Sequence, residues 1–403
     1  MSAAAFAAVG LAAIQARAQD EYRLTLPQAV ALAAERAAPI QAGRARVGEA
    51  RGRLLGAEPW LRDNPEVELG AGPRRSSAGS SIDLLLELRQ PIELPGRRGA
   101  RIASAEAGVH HEAAALDDLL RTYAGEVGRA FVAVVHARER LDLLRQDQEI
   151  AARLLSTAQR RRSAGDASVL ELNVSRAADA QGRARMLAAE GDLAWRTNDL
   201  ARALSLPAGA ALAVVGSLND LASAPVGESG SPSERPDVRA ARAELDQARA
   251  DLELGGAEAW PDLALGAEAH REGQESFLLG TLSVSIPVFA RGQQTRAEAA
   301  ARARRAQAEL EAADANARRG AAAARERWRR TLEAVRLLDS EALPVAVQNG
   351  DLAARGYAAG ELPLAELMLI RREALEVRTQ YLDLLLEAAG ARLDLAAELG
   401  VSP

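Results

Sequence analysis

The fold of this chain is decided by the stretch Arg97–Arg162, RRGARIASAEAGVHHEAAALDDLLRTYAGEVGRAFVAVVHARERLDLLRQDQEIAARLLSTAQRRR. These 66 residues contain no proline, and at about 1.5 Å of rise per residue they could form one helix about 100 Å long. The core of a globular domain is much shorter than that. We therefore predict a single long helix that needs partners along its whole length.

The middle of this stretch carries apolar residues at alternating spacings of four and three. Such spacing is typical of a coiled-coil seam rather than of the face of a globular helix. Other helices of the chain should pack along this seam. Its members are Leu116, Leu120, Tyr123, Val127, Ala130, Val134, Ala137, Leu141 and Leu144.

The composition also favours long helices. A chain of 403 residues could form about two or three ordinary domains, but 3% aromatic residues is low for packed globular cores. The formal net charge is −6, and the arginines alternate with acidic residues, which indicates solvated helix faces rather than a nucleic-acid-binding surface. The absence of cysteine excludes disulfides, thiolate metal sites and a lipid anchor on an N-terminal cysteine.

The first residues predict export. An apolar stretch, Ala3–Ile14, is followed by Ala16-Arg17-Ala18, which matches a signal-peptidase site before Gln19. A basic segment before the apolar stretch is missing, so either the true start lies upstream or this is an ordinary apolar terminus. No stretch of 18 or more apolar residues occurs, which argues against a transmembrane helix.

The flanking sequence predicts further helices and two strands. We expect one helix from Leu24 to Gly56 and another from Val169 to Leu206. Alternating polar and apolar residues predict half-buried strands at Glu66–Ala71 and Ile82–Arg89. Gly, Ser and Pro predict a turn or loop over Gly72–Ser80.

This order of elements occurs twice. We predict a tandem duplication, with a signal peptide over 1–18, a first repeat over 19–207, a linker over 208–236 and a second repeat over 237–403. In the second repeat, Pro344 should kink or interrupt the long helical segment Gln293–Tyr357. Matching residues of the two repeats lie a constant distance apart in the sequence. Four pairs are 196 residues apart: Pro65 and Pro261, Gly70 and Gly266, Pro91 and Pro287, and Gly96 and Gly292. Two pairs are 195 residues apart: Gly165 and Gly360, and Leu204 and Leu399.

Each repeat contributes two strands, so the chain has four, which cannot close a barrel or hide their edges. In the second strand pair one face is apolar, with Leu278, Leu282, Val284 and Ile286, and the alternate face is mixed. In an exported chain, such strands are typical of a membrane β-barrel, which several chains would have to close. The alternative is a small soluble sandwich beside a helical bundle.

Three segments resemble outer-membrane efflux channels of the TolC type. They are Arg89–Arg98 (RQPIELPGRR), the helix turns around Gly165 and Gly360, and Tyr357–Leu367 (YAAGELPLAEL), and the likeness extends from Leu24 to Leu399. The implied fold is mainly α with membrane β. Long antiparallel coiled-coil helices would form a periplasmic tunnel, and four strands per chain would contribute to a homotrimeric 12-stranded β-barrel.

The resemblance also implies partners and location. The channel would lie in the cell outer membrane, in contact with its lipid, and extend into the periplasm. There it would meet a periplasmic adaptor (membrane fusion) protein and an inner-membrane efflux pump. It would be a passive conduit without a cofactor. The Gln90–Glu93 passage and the short chain are most similar to the branch that serves heavy-metal cation exporters.

The resemblance assigns the two helix turns to adaptor contact. Gly165 and Asp166 would form one tip, and Gly360 and Glu361 the other. Since helices that return on themselves need a residue tolerant of positive φ, an ordinary helical hairpin explains the glycines equally well.

The resemblance places a pore constriction beyond the tips. Glu171 and Glu366, each six residues past its glycine, would line the periplasmic mouth, where rings of charge favour cations. Tyr357 would help to hold the mouth closed. The alternative for both acids is an exposed carboxylate in the first turn of a helix, where the helix dipole favours it. Two positions depart from some members: Leu362 replaces a basic residue and Leu369 a second acid.

Neither catalysis nor a metal site is predicted. The chain has no nucleophile elbow, no His-Glu-x-x-His, no phosphate-binding loop and no cofactor fingerprint. We expect His110, His111, His136 and His270 to be ordinary surface side chains. The competing interpretation of the whole chain is a non-channel coiled-coil protein, either a periplasmic adaptor or a scaffold.

Overall fold

The computed structural model describes residues 22–76, 79–94, 96–227, 231–257, 259–273, 275–289 and 291–401. The predicted signal peptide, 1–18, lies outside the described residues. The chain divides into two compact units, each built from separate parts of the sequence. The first unit takes the chain up to residue 41, from 119 to 235 and from 317 onward, and the second takes 42–118 and 236–316.

The elements follow one another in this order: β1 (Tyr22–Leu24), α1 (Leu26–Arg36), α2 (Ala38–Ala57), β2 (Glu66–Ser76), β3 (Gly79–Ile92), α3 (Arg97–Ala164), α4 (Val169–Ala203), β4 (Leu212–Val214), α5 (Leu218–Ser223), a 3₁₀ turn (Pro232–Glu234), α6 (Pro236–Ala257), β5 (Asp262–Glu272), β6 (Glu275–Ser285), α7 (Gln293–Leu337), a π-helical segment (Leu338–Ala342), α8 (Leu343–Ala359) and α9 (Leu364–Leu399).

The long helix is confirmed. Helix α3 runs unbroken for 68 residues, and none of the nine seam residues is exposed. Burial between Val127 and Leu141 nevertheless extends well beyond one seam, because Phe131, Val132 and Val135 are also buried. In this part of the first unit, α1, α4, α5 and α9 all pack against α3 and form the main core.

The predicted helix from Leu24 to Gly56 is wrong in two places. Tyr22–Leu24 forms strand β1, and the helix is broken at Ala37, whose ψ of 130° is extended. Pro39 explains the break, because it has no N–H to donate and its ring would clash with the carbonyl of Glu35. The Gln41 side chain donates to that carbonyl instead.

The second unit contains a four-stranded antiparallel sheet in the order β2-β3-β5-β6. The strands are longer than predicted, and the loop expected over Gly72–Ser80 is wrong for the residues described there, which belong to β2 and β3. Pro73 pairs with Ile82 in the ladder. The Arg74 guanidinium donates to the Asp83 carboxylate at 2.7 Å and so links the two strands across this region.

The first unit contains a second, smaller sheet that the sequence did not predict. Strand β1 pairs in parallel with β4, with Tyr22 opposite Leu212. Strand β4 and helix α5 both lie within 208–236, so this connecting segment has more secondary structure than its Gly- and Pro-rich composition indicates. Leu218 and Ala222 of α5 are fully buried in the main core.

The predicted interruption at Pro344 is confirmed. Helix α7 ends at Leu337, the π-helical segment follows, and α8 begins with Pro344 in its first turn. Ala342 and Leu343 keep helical dihedrals, so Pro344 lacks the N–H that a continuous α-helix would use to bond four residues back, and the π-helical segment before it accommodates that loss. Among the described helices, none has both the length and the apolar character required to cross a membrane.

Candidate functional site

The first tip is a tight turn between α3 and α4. Gly165 ends α3 with a φ of +88°. The Asp166 N–H donates to the Arg161 carbonyl at 2.8 Å, and the Gly165 N–H donates to the Arg162 carbonyl at 3.2 Å. This pair of hydrogen bonds satisfies the last carbonyls of the helix and requires a left-handed residue, which glycine supplies without strain.

The second tip, between α8 and α9, has the same pair of backbone hydrogen bonds and the same left-handed glycine. Gly360 has a φ of +79°, the Glu361 N–H donates to the Gly356 carbonyl at 2.9 Å, and the Gly360 N–H donates to Tyr357 at 3.1 Å. A Cβ atom added at Gly165 or Gly360 would meet no atom within 4 Å. The left-handed backbone conformation therefore requires glycine at both positions, and packing does not.

Glu171 and Glu366, each six residues past its glycine, have different surroundings. Glu171 takes part in a capping box: its Oε2 accepts from the Ser168 N–H at 3.0 Å, and Ser168 Oγ accepts from the Glu171 N–H at 3.1 Å. The alternative interpretation of Glu171, a carboxylate that stabilises the first turn of a helix, thus has direct support. Glu366 occupies the same third position of α9, but the residue before that helix is Pro363, which offers no side-chain cap. The Glu366 side chain is exposed.

Tyr357 lies between the two tips. Its residue is 2% exposed and packs with Ala353, Leu364 and Leu367. The guanidinium carbon of Arg161, at the end of α3, lies 5.2 Å from the centre of the Tyr357 ring, a distance at which cation and ring attract. The Tyr357 hydroxyl oxygen is buried and has no hydrogen-bond partner among the described residues.

The two positions that depart from some relatives are also resolved. Leu362 is partly buried and packs against the Tyr357 cluster. Its Cβ lies close to Gly356 in α8, so the leucine contributes apolar contact where a basic residue would contribute charge. Leu369 is exposed on α9.

Polar contacts farther from the tips hold the helices in antiparallel pairs. Arg145 of α3 binds Glu190 of α4 at 3.3 Å, and Arg371 of α9 binds Asp147 of α3 at 2.6 Å. Both members of the Arg371–Asp147 pair are largely buried. Its partners are 224 residues apart, and no local pattern in the sequence pointed to them.

The expectation of a surface histidine is wrong for His136. This residue is buried on α3, and its Nε2 lies 3.0 Å from Asp383 Oδ1 on α9. Burial lowers the pKa of His136, and the hydrogen bond to Asp383 only partly offsets that effect. No group of three or more His, Asp or Glu side chains in the described parts of the chain is arranged to hold a metal ion.

The four-stranded sheet has one apolar and one polar face. Successive residues of a strand point to opposite faces, and residues paired across strands share a face, so the register assigns each side chain. The same register also places Arg75, Gln90 and Arg271 on the mostly apolar face. Its apolar residues are Val67, Leu69, Ala71, Ile82, Leu84, Leu86, Leu88, Leu263, Leu265, Ala267, Ala269, Leu278, Leu282 and Val284. The opposite face is mostly polar but also carries Leu85, Phe277 and Leu279. Its polar residues include Glu66, Glu68, Arg74, Asp83, Glu87, Arg89, Asp262, Glu268, His270, Glu272, Thr281 and Ser283.

The chain matches known proteins over most of its length. The family of outer membrane efflux proteins matches residues 29–205 and 231–401. The cobalt-zinc-cadmium resistance protein CzcC of Cupriavidus metallidurans is 27% identical over 366 residues, which cover 90% of this chain and 86% of that protein. The nickel-cobalt-cadmium resistance protein NccC of Alcaligenes xylosoxydans xylosoxydans is 29% identical over 291 residues, 70% of this chain and 64% of that protein.

The fold is also found in a solved structure. A membrane protein from Pseudomonas aeruginosa superimposes with a TM-score of 0.77 at 19% identity, over 94% of this chain and 90% of that one. The solved structure shows the same fold, and the family match covers both halves of the chain. This chain belongs to the outer membrane efflux protein family.

Proposed function

We propose that three copies of this outer membrane efflux protein form one channel and that their strands close a single twelve-stranded barrel. The observation that carries this proposal is the open sheet, because β2 and β6 each pair on one side only within the part of the chain that the structure describes. Lipid offers no water to the unpaired backbone of an edge strand, so a sheet in a membrane has to close on itself. Three sheets of four strands close without a free edge.

The two faces of the sheet support the same arrangement. In a membrane barrel, the apolar face contacts lipid and the polar face lines the aqueous lumen. The lumen side would carry the Arg74–Asp83 and Arg74–Glu272 ion pairs, with N–O distances of 2.7 and 2.5 Å. The strands have 11 to 14 residues, long enough for a tilted membrane crossing.

The helices would form the periplasmic passage. Helix α3 has 68 residues, about 100 Å at the usual rise, and it pairs with α4 and α9 through antiparallel contacts. The Gly165–Asp166 and Gly360–Glu361 turns would be the tips that meet a periplasmic adaptor, which connects the channel to an inner-membrane pump. The channel would be a passive conduit and not an enzyme.

Heavy-metal cations are the proposed cargo. CzcC and NccC are named for resistance to cobalt, zinc, cadmium and nickel. Selection of the metal would belong to the pump, and the channel would contribute a mouth that favours cations.

The proposed mouth consists of Glu366 and Tyr357, with Glu171 as a second acid. Three exposed Glu366 carboxylates, one from each chain, would raise the local cation concentration. We expect Glu366→Gln to reduce cation over anion selectivity in single-channel recordings. Glu171→Gln should reduce selectivity less, because the Glu171 carboxylate is held by the Ser168 N–H at the start of α4, and a glutamine can keep that cap. Unchanged selectivity in Glu366→Gln would overturn the charged ring.

The channel itself is tested by fractionation and reconstitution. We expect the protein in the outer membrane, as a detergent-stable trimer that dissociates on heating and that conducts ions in planar bilayers. A soluble periplasmic monomer would contradict the proposal and would favour an adaptor or scaffold.

A further inference from the structure

A cavity in the second unit lies between helices α2, α3 and α6, near the start of α3. Its volume is about 930 Å³, which is within the roughly 300–1,000 Å³ of small-molecule sites in general. Small residues form part of its wall and leave the space open: Gly56 and Ala57 belong to α2, and Ala105 and Gly108 to α3. The cavity is therefore wide enough for a small ligand, and its charged residues indicate the chemistry of that ligand.

Two ion pairs in the lining are already complete. Arg101 binds Glu93 at 2.5 Å, and their side chains are only 11% and 8% exposed. Arg101 also donates to the Ala57 carbonyl at 2.7 Å, which fixes its guanidinium against α2. Arg97 binds Asp262 at 2.5 Å. Because each of these charges is neutralised by its partner, neither arginine is available to hold a ligand.

Three other charged residues in the lining have no partner of this kind. Arg53 lies on α2, and Arg62 and Asp63 lie in the segment that leads into β2. All three are exposed. Their side chains make no hydrogen bond or ion pair with any other residue among those that the structure describes. Two guanidinium groups and one carboxylate around the same cavity are therefore free to bind a ligand.

This set of charges matches a ligand that carries both a phosphate and an ammonium group. Guanidinium groups bind phosphate oxygens through paired, charge-assisted hydrogen bonds, and a carboxylate accepts hydrogen bonds from an ammonium. An inorganic phosphate would meet the same arginines but would be repelled by Asp63. We propose that the cavity binds a phosphoethanolamine group, with Arg53 and Arg62 on the phosphate and Asp63 on the ammonium.

The same group occurs in phosphatidylethanolamine and in soluble glycerophosphoethanolamine, so both are used as probes. The residues that line the cavity all belong to the second unit of a single chain. The inference therefore goes beyond the proposed channel, and its failure would leave that proposal unaffected.

Binding is measured by isothermal titration calorimetry on the full chain in dodecyl maltoside. The soluble probes are glycerophosphoethanolamine, inorganic phosphate and glycerophosphocholine, which has the same phosphate but no ammonium N–H. The variants are Arg53→Gln, Arg62→Gln and Asp63→Asn. Arg51→Gln is the matched control, because Arg51 is exposed on the same helix but does not line the cavity, and residues two apart on a helix point to different sides.

We expect the wild type to bind glycerophosphoethanolamine more tightly than the other two soluble probes. Arg53→Gln and Arg62→Gln should each weaken that binding about tenfold or more, since each removes a charge-assisted hydrogen bond. Asp63→Asn should also weaken it but should strengthen the binding of inorganic phosphate, a change of sign that loss of folding would not produce. Equal affinity of the wild type for glycerophosphoethanolamine and inorganic phosphate would overturn the proposal, as would equal effects of Arg51→Gln and Arg53→Gln.

The source of the group is identified by titrating dihexanoyl phosphatidylethanolamine in the same way. Tighter binding of this lipid than of glycerophosphoethanolamine, weakened by Arg53→Gln, assigns the site to a lipid headgroup. Equal binding of the two assigns it to the phosphoethanolamine group alone. Absence of binding for both probes would overturn the proposal.

Discussion

Tyr357→Phe is the substitution that most directly tests the closed mouth. It removes one hydroxyl and keeps the ring that packs between the tips beneath Arg161. Within one chain this hydroxyl is buried without a partner among the described residues, and an unsatisfied buried hydroxyl costs about 1–3 kcal/mol. A single isolated chain should therefore become more stable when the hydroxyl is removed.

The proposed closed trimer predicts the opposite result. There the Tyr357 side chain would have to turn out of its own chain, so that its hydroxyl forms a hydrogen bond with a neighbouring chain, a bond worth about 1 kcal/mol. Three symmetric bonds amount to about 3 kcal/mol, so the ratio of closed to open channels should fall about 100-fold in Tyr357→Phe.

Single-channel recording of purified trimers in planar bilayers measures that ratio. Tyr123→Phe is the control, because the Tyr123 hydroxyl donates to the Ala203 carbonyl within the same chain at 2.8 Å. Its loss should lower the free energy of unfolding by about 1 kcal/mol and leave gating unchanged. If Tyr357→Phe gates like the wild type and unfolds at higher temperature, the hydroxyl has no partner in the trimer and the reasoning is refuted.

Three further predictions follow from the tips and the core. Gly360→Ala should cost about 1–2 kcal/mol of unfolding free energy and Gly360→Asn less, because only the left-handed backbone is affected; equal costs in urea unfolding would argue against this. Phe131→Ala should cost about 3–5 kcal/mol of unfolding free energy because Phe131 is fully buried, and a change below roughly 1 kcal/mol, as for a surface substitution, would show that the core is loosely packed. Since burial lowers the pKa of folded His136, the unfolded chain binds more protons below pH of about 6.5. Stability should thus be highest above that pH and fall on acidification, and His136→Gln should flatten the slope in thermal unfolding at several pH values.

Features that depend on local chemistry could be predicted from the sequence. The absence of proline after Arg97 predicted α3, and Gly165 and Gly360 predicted two left-handed turns, because each effect is confined to a few neighbouring residues. The alternation of polar and apolar residues located four strands but not their ends. Pro73 and Gly72 indicate a turn in isolation, whereas the ladder with β3 keeps them extended.

Features that depend on distant partners could not be predicted. The parallel pairing of β1 with β4 joins segments about 190 residues apart and has no local signature. His136 lies among apolar residues of α3, and nothing nearby in sequence revealed that Asp383 on α9 would face it. Glu171 and Glu366 occur in similar local sequences, and only the residue before each helix, Ser168 or Pro363, separates their surroundings. The tandem duplication and its boundaries stay predictions.

The two unpaired edges of the sheet, β2 and β6, have a genetic consequence. If three chains close the proposed barrel, a single chain has no finished sheet, so membrane insertion and assembly would be coupled. A variant that still presents its edges but cannot complete the channel would then occupy places in mixed trimers. In a cell that makes equal amounts of both chains, only about one trimer in eight would contain wild-type chains alone. Loss-of-function variants of this kind should therefore be dominant.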